Sequence, residues 1–123
     1  MNFTKTFADQ HNSLKKNVPQ SIPVIRQAEK KDAETVLELT RSLAEYHGDD
    51  ADFRATLNDV LRDGFGKKPL YESWLAEIDE VPLALATFFI TYSTFKGKAC
   101  LHLDNLYVKK DARGWKLGEK MIA

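Results

Sequence analysis

Residues 101–122 read LHLDNLYVKKDARGWKLGEKMI. An apolar strand over 99–108 runs into a turn with glycine at 114 and 118, lysines crowd around it, and a helix opens behind it. A glycine-bearing turn between a buried strand and a helix is a natural anion cradle. The first N–H groups of a helix have no internal acceptor, and the helix dipole favours negative charge there. Glycine lets a phosphate approach the backbone with no Cβ in the way. Residues 109–120 carry Lys109, Lys110, Arg113, Lys116 and Lys120 against Asp111 and Glu119, a net charge of +3. The same residues also suit a solvated loop and helix start, because glycine-bearing turns are weak signals alone.

Working upstream, STFKGK (93–98) reads as a turn and LALATFFITY (83–92) as a strand. The latter is so continuously apolar that it is expected to be covered on both faces. DEVP (79–82) is a turn, YESWLAEI (71–78) a strand and FGKKPL (65–70) a loop. These connections are too short for crossovers, so the strands join as antiparallel hairpins. A helix is expected from about Asp52 to Asp63, with Leu57, Val60 and Leu61 inward and Gly64 as its stop. Before it, Val36, Leu39, Leu43 and Tyr46 form a helical stripe, opened by Asp32 as N-cap with Glu34 behind it, and closed by Gly48. IPVIRQA (22–28) reads as a first strand, in which Ile22, Val24 and the stem of Arg26 alternate against Pro23 and Ile25. The order β-α-α-β-β-β-loop-α implies a layered α/β domain, a sheet covered by helices.

The chain has 123 residues, with 43% apolar and 29% charged, which suits one small domain. Residues 1–21 read as a flexible leader, either a disordered tail or a short helix over 4–16. They lack the apolar core of a signal peptide, and no apolar run reaches the roughly 20 residues that span a membrane. A formal net charge of zero argues against a general nucleic-acid binder. The single cysteine, Cys100, excludes an internal disulfide and points to a reducing compartment, the cytoplasm. Cys100, Trp74, Phe88 and Phe89 are expected in the core. His11, His47 and His102 have no metal-ligand spacing, so no metal is expected. Residues 45–63 carry Glu45, Asp49, Asp50, Asp52, Asp59 and Asp63 against Arg54 and Arg62, a net −4. That stretch is either a solvated face or the attraction for a cationic substrate, opposite a basic loop for a polyanion.

Three further stretches carry a resemblance: VIRQAEKKDAETVLELTRSLAEY (24–46), DGFGKKPLYESWLAE (63–77) and DNLYV (104–108). Together with residues 101–122 they resemble the GCN5-related N-acetyltransferases, and more narrowly the diamine acetyltransferases of spermidine/spermine or thialysine type. The loop Arg113-Gly114-Trp115-Lys116-Leu117-Gly118 is similar to the family's R/Q-x-x-G-x-G/A motif, with Lys116 where glycine is usual. The resemblance implies the N-terminal portion of that family's fold over residues 22–123, with a mixed, mostly antiparallel sheet flanked by helices. On it the domain is expected to be incomplete at its C-terminus and to lack the family's catalytic tyrosine.

By the same resemblance the co-substrate is acetyl-CoA, and the partner is a small cationic amine, neither nucleic acid nor membrane. Leu106, Tyr107 and Val108 would bind the pantetheine arm by their backbone, with the amide near Leu106 polarising the thioester carbonyl. Arg113, Gly114, Trp115, Lys116, Leu117, Gly118 and Glu119 would hold the pyrophosphate. Tyr46 and His47 would contact the amine, and Asp104 would bind its nitrogen and help remove its proton. A protonated amine is no nucleophile, so a carboxylate or relayed water must take that proton first. The unpaired strand edge implies a homodimer. Two functions stay open: an acetyl-CoA-dependent amine N-acetyltransferase, and a catalytically inactive truncated relative that binds cofactor or partner.

Overall fold

The computed structural model describes residues 22–122. The expected leader and its helix over 4–16 lie outside the described residues. The elements are β1 (Val24–Gln27), α1 (Ala33–Tyr46), α2 (Leu57–Phe65), β2 (Glu72–Ile78), β3 (Val81–Ser93), β4 (Lys98–Val108) and α3 (Leu117–Ile122). The strands form one sheet in the order β1-β2-β3-β4, and all three pairings are antiparallel. Parallel strands, which a mixed sheet would contain, are therefore absent among the described residues. None of the described helices is long and apolar enough to cross a membrane.

Two apolar layers flank the sheet. On one side Leu75 and Leu85 meet Val36, Leu37, Leu39 and Val60 from α1 and α2. On the other, Ala76, Ala84 and Ala86 leave room for Ala112, Leu117 and Met121 around α3. Small residues on that face let the loop before α3 pack close to the strands. The stripe of α1 centres on Val36, Leu37 and Leu39. Tyr46, the last residue of α1, is exposed. In β1, Ile25 packs on the core while Ile22 and Val24 are exposed, so the inward member of that alternation is Ile25.

Several boundaries differ from the sequence reading for local reasons. The acidic residues Asp50–Asp52 form a separate 3₁₀ turn. Helix α2 begins only at Leu57, where Thr56 accepts from the Asp59 amide at 3.2 Å and Asp59 accepts from the Thr56 amide at 2.9 Å. That reciprocal cap satisfies two otherwise orphaned donors. Gly64 lies inside α2 rather than ending it, and Gly66 is the C-cap. The reason for glycine at 64 is space: a Cβ there would lie 2.9 Å from the Tyr71 hydroxyl.

The β2–β3 turn narrows to Asp79 and Glu80, both with positive φ (52° and 67°), the pair of left-handed residues that matches strand twist in a tight hairpin. Strand β3 is covered on both faces only over Leu83–Thr87, whereas Ile90 and Tyr92 are each 64% exposed. Pairing with β2 stops at Glu72 opposite Phe88, so among the described residues the outer half of the β3–β4 hairpin has no third strand. Cys100 sits on that half, opposite Thr91, and is exposed. The core assignment for Cys100 is thereby corrected. Trp74 and Phe88 do pack, half-buried, on the α3-side core.

Arg26 ties three elements. Its guanidinium donates to both Asp32 oxygens at 2.8 and 2.9 Å and to Glu77 at 2.7 Å. Asp32 also accepts from the Glu29 amide at 2.8 Å, so its side chain serves the preceding turn and Arg26 instead of capping α1. These bonds hold Asp32 below the usual carboxylate range and raise Arg26 above its ordinary value.

Removing Arg26 leaves two mostly buried carboxylates without their cation. Arg26→Ala is expected to cost about 2–4 kcal/mol in urea unfolding at neutral pH. Because the folded Asp32 is depressed, its contribution is present above its unfolded pKa and fades as pH falls through the lower folded value. The wild-type protein should thus lose stability more steeply in acid than Arg26→Ala. Gly64→Ala should destabilise by roughly 1–3 kcal/mol through overpacking, against the helix-propensity gain. Tyr71→Phe in that background should recover part of the loss in the same measurement.

Candidate active site at the β4 bulge

The register of β3 and β4 slips once. Thr87 pairs with Asn105 and Phe88 with Leu103, leaving Asp104 as the extra residue of a β-bulge. A bulge re-aims the side chain it displaces and ends regular pairing. Asp104, the displaced residue, lines a groove of about 390 Å³ beside α1. The rest of that groove comes from Thr40, Leu43, Ala44 and His47 on and beyond α1, Asp49 and Phe53 after it, and Asn105 and Leu106 on β4.

The structure thus brings together His47, Asp104 and Leu106 in one concavity. It also adds Asp49, from the acidic stretch, and Thr40 and Asn105, which the sequence reading did not single out. Two signals mark them. Thr40, Ala44 and His47 follow helical spacing beside the buried stripe of α1. In β4 the apolar residues fall at 101 and 103, then at 106 and 108. That break in the period-two pattern is the signature of one inserted residue, since a single slip exchanges the two faces.

Tyr46 is not part of the groove wall. Its ring carries the Arg113 guanidinium 4.6 Å from its centroid, and Tyr107 lies on the same cation at 5.7 Å. His47 stands beside Tyr46, ring centroids 5.6 Å apart. Arg113 also donates from Nε to the Val108 carbonyl at 2.8 Å. The side chain therefore turns back onto β4 and the end of α1 instead of toward the loop that follows it.

That loop is a 3₁₀ turn at Lys110–Ala112 and a bend into α3. Gly114 and Lys116 both have positive φ, 97° and 60°. The left-handed conformation expected of a glycine at 116 is therefore present, with lysine in it. The helical ladder opens with the Lys120 amide on the Lys116 carbonyl at 3.1 Å, so the amides of Leu117, Gly118 and Glu119 have no intrahelical acceptor. Trp115 is half-buried and Leu117 fully buried against the α3-side core. A Cβ at Gly118 would stand 3.6 Å from Leu106, in ordinary contact with the strand that forms the groove.

Comparison with known proteins agrees with this architecture. Residues 28–123 match the acetyltransferase (GNAT) family. Over 107 residues the chain is 33% identical to a thialysine N-epsilon-acetyltransferase of Bos taurus, covering 80% of this chain and 62% of that protein. It is 31% identical over 105 residues to the spermidine/spermine N(1)-acetyltransferase-like protein 1 of Homo sapiens, covering 80% of this chain and 15% of that protein. Among solved structures, a ribosomal-protein-alanine N-acetyltransferase from Brucella melitensis biovar Abortus 2308 superposes with a TM-score of 0.63 at 22% identity, covering 82% of this chain and 66% of that one. An aminoglycoside N-acetyltransferase in complex with CoA superposes with a TM-score of 0.64 at 23% identity, covering 85% and 66%. The chain spans about 62% of the length of its thialysine acetyltransferase relatives. With the match running from the end of β1 through the loop and α3, the chain belongs to the acetyltransferase (GNAT) family.

Proposed function

We propose that this chain serves an acetyl-CoA-dependent N-acetyltransferase acting on a primary amine of a small cationic acceptor, of polyamine or thialysine type. The observation that carries this reading is the Asp104 bulge. The displaced Asp104 lines a groove together with His47 and Asp49, on the strand that leads directly into the basic loop. Asp104 would hold the acceptor's ammonium and accept its proton, directly or through water, which makes the nitrogen nucleophilic.

Acetyl-CoA would supply the activated acetyl thioester. The backbones of Leu106 and Tyr107 and the amide of Val108 lie on the edge strand where the pantetheine arm would run. The Val108 carbonyl is engaged by Arg113. An amide near Leu106, aimed at the thioester oxygen, would stabilise negative charge developing there. The net +3 of residues 109–120 and the first amides of α3, at Leu117, Gly118 and Glu119, which have no intrahelical acceptor, suit the pyrophosphate, with Gly114 and Lys116 shaping the turn. The exposed Cys100 thiol fits a reducing compartment such as the cytoplasm.

A second reading, a binding module without turnover, is supported by the exposed apolar residues Ile90, Tyr92, Leu101 and Leu103 on the outer hairpin. A second copy of this chain would cover them as a homodimer. Light scattering across concentration tests it, and a monomer throughout would remove that support.

For the enzymatic reading, calorimetry should detect acetyl-CoA binding, and CoA release should follow with spermidine or thialysine as acceptor. Asp104→Asn should lower kcat/KM by roughly 10²–10⁴ with little change in acetyl-CoA affinity. Equal activity in that variant would end the assignment of Asp104. Lys116→Gly relieves a left-handed lysine, a conformation costing about 1–2 kcal/mol that is already present without ligand, so it should stabilise the fold and leave CoA affinity unchanged at high salt, where the ammonium's attraction is screened. Weaker binding there would make the ammonium a ligand in its own right.

A further inference from the structure

A second space opens from the same carboxylate. Thr40, Asp104 and Asn105 line the groove and also a cavity of about 290 Å³ running between α1, α2 and the sheet. That volume is close to the ~300 Å³ at which small-molecule pockets begin. The two spaces differ in chemistry. The groove adds Asp49 and His47 to Asp104, whereas Asp104 is the sole carboxylate among the residues that line the cavity.

The cavity's interior is apolar, from Val36, Leu37, Val60 and Phe89. Its hydroxyls are committed or neutral. Thr87 lies 3.4 Å from the Ser73 hydroxyl, and Thr40 donates to the Val36 carbonyl at 2.7 Å. Burial, then the Asp63 and Asp59 carboxylates, push the Tyr71 phenol up, so it stays uncharged at neutral pH. Apart from Asp104, no carboxylate lines the cavity, so a second ammonium placed there would give up hydration for a largely apolar wall. An alkyl or aryl arm would instead gain roughly fourfold in affinity for each methylene buried.

We propose that this cavity is a second arm of the amine site, which takes the uncharged alkyl or arylalkyl group of a primary monoamine whose ammonium rests at Asp104. The inference depends on the amine reading above and extends it to hydrophobic monoamines. Diamines use the groove toward Asp49, and monoamines use the cavity. Ala55 lies exposed on the connection before α2 and forms part of the cavity wall without lining the groove, so a larger side chain there obstructs one arm alone.

The test is calorimetric titration of the full chain, with CoA present, using pentylamine and cadaverine, which differ only in the second amine. Both should bind, and Asp104→Asn should weaken both by about tenfold, as for a lost charged hydrogen bond. Ala55→Phe should weaken pentylamine by about tenfold and leave cadaverine within about twofold, the retained ligand reporting that the fold is intact. Equal weakening of the two amines by Ala55→Phe, or none for pentylamine, overturns the cavity assignment. Binding of cadaverine alone to the wild type overturns it while leaving the amine reading in place. Failure of both amines to bind overturns the two together.

Discussion

Strand β4 must carry apolar residues to the same face on both sides of Asp104. Leu106 and Val108 lie opposite Ala86 and Ala84, and Leu103 and Leu101 lie opposite Phe88 and Ile90. In an uninterrupted strand these two pairs of residues would point to opposite faces. One inserted residue restores the phase, and that residue is Asp104. The apolar pattern on the α3 side thus requires a bulge, and the bulged residue is one that lines the groove. Site and core are two results of one register slip.

The remaining architecture holds that slip in place. Leu106 and Val108 contact the α3-side core, where the alanines of β2 and β3 make room for Leu117 and Met121. Tyr107, between them, points the other way into the α1/α2 layer. Alternate residues of one short segment are therefore clamped by opposite layers. At the far edge of the sheet Arg26 joins β1, the turn before α1 and β2 through charged hydrogen bonds. Such bonds are directional, and they fix the approach of α1 to the sheet more than apolar contacts alone would.

Much of this was legible in the sequence. The order of elements follows from periodicity and turn residues, and the basic loop after β4 was visible as a glycine-bearing turn. The misreadings have physical causes. Gly64 reads as a helix stop because glycine commonly ends helices, yet its place is set by the tyrosine packed on it seven residues later. Cys100 and the outer part of β3 read as core because they are apolar, but burial depends on how far the neighbouring strand extends, which periodicity does not encode. The groove residues Thr40 and Asn105 are chemically ordinary and gain meaning only from their place beside the bulge. Lys116 shows the reverse case. Its left-handed backbone was foreseeable from its position in a glycine motif and is present.

The contact of Arg113 with Tyr46 has a thermodynamic consequence. One cation bridges the end of α1, beside the groove, and the strand leading to the basic loop. Any ligand that draws Arg113 toward its own negative charge must give up the stacking on Tyr46, worth about 0.5–1 kcal/mol at an exposed site. Linkage then works in both directions: a ligand that displaces Tyr46 alters affinity at the loop by the same factor that a loop ligand alters affinity for it. With so small a stacking energy that factor stays below about tenfold, so Arg113 would make a ligand at the groove and one at the loop mutually sensitive without making either depend on the other.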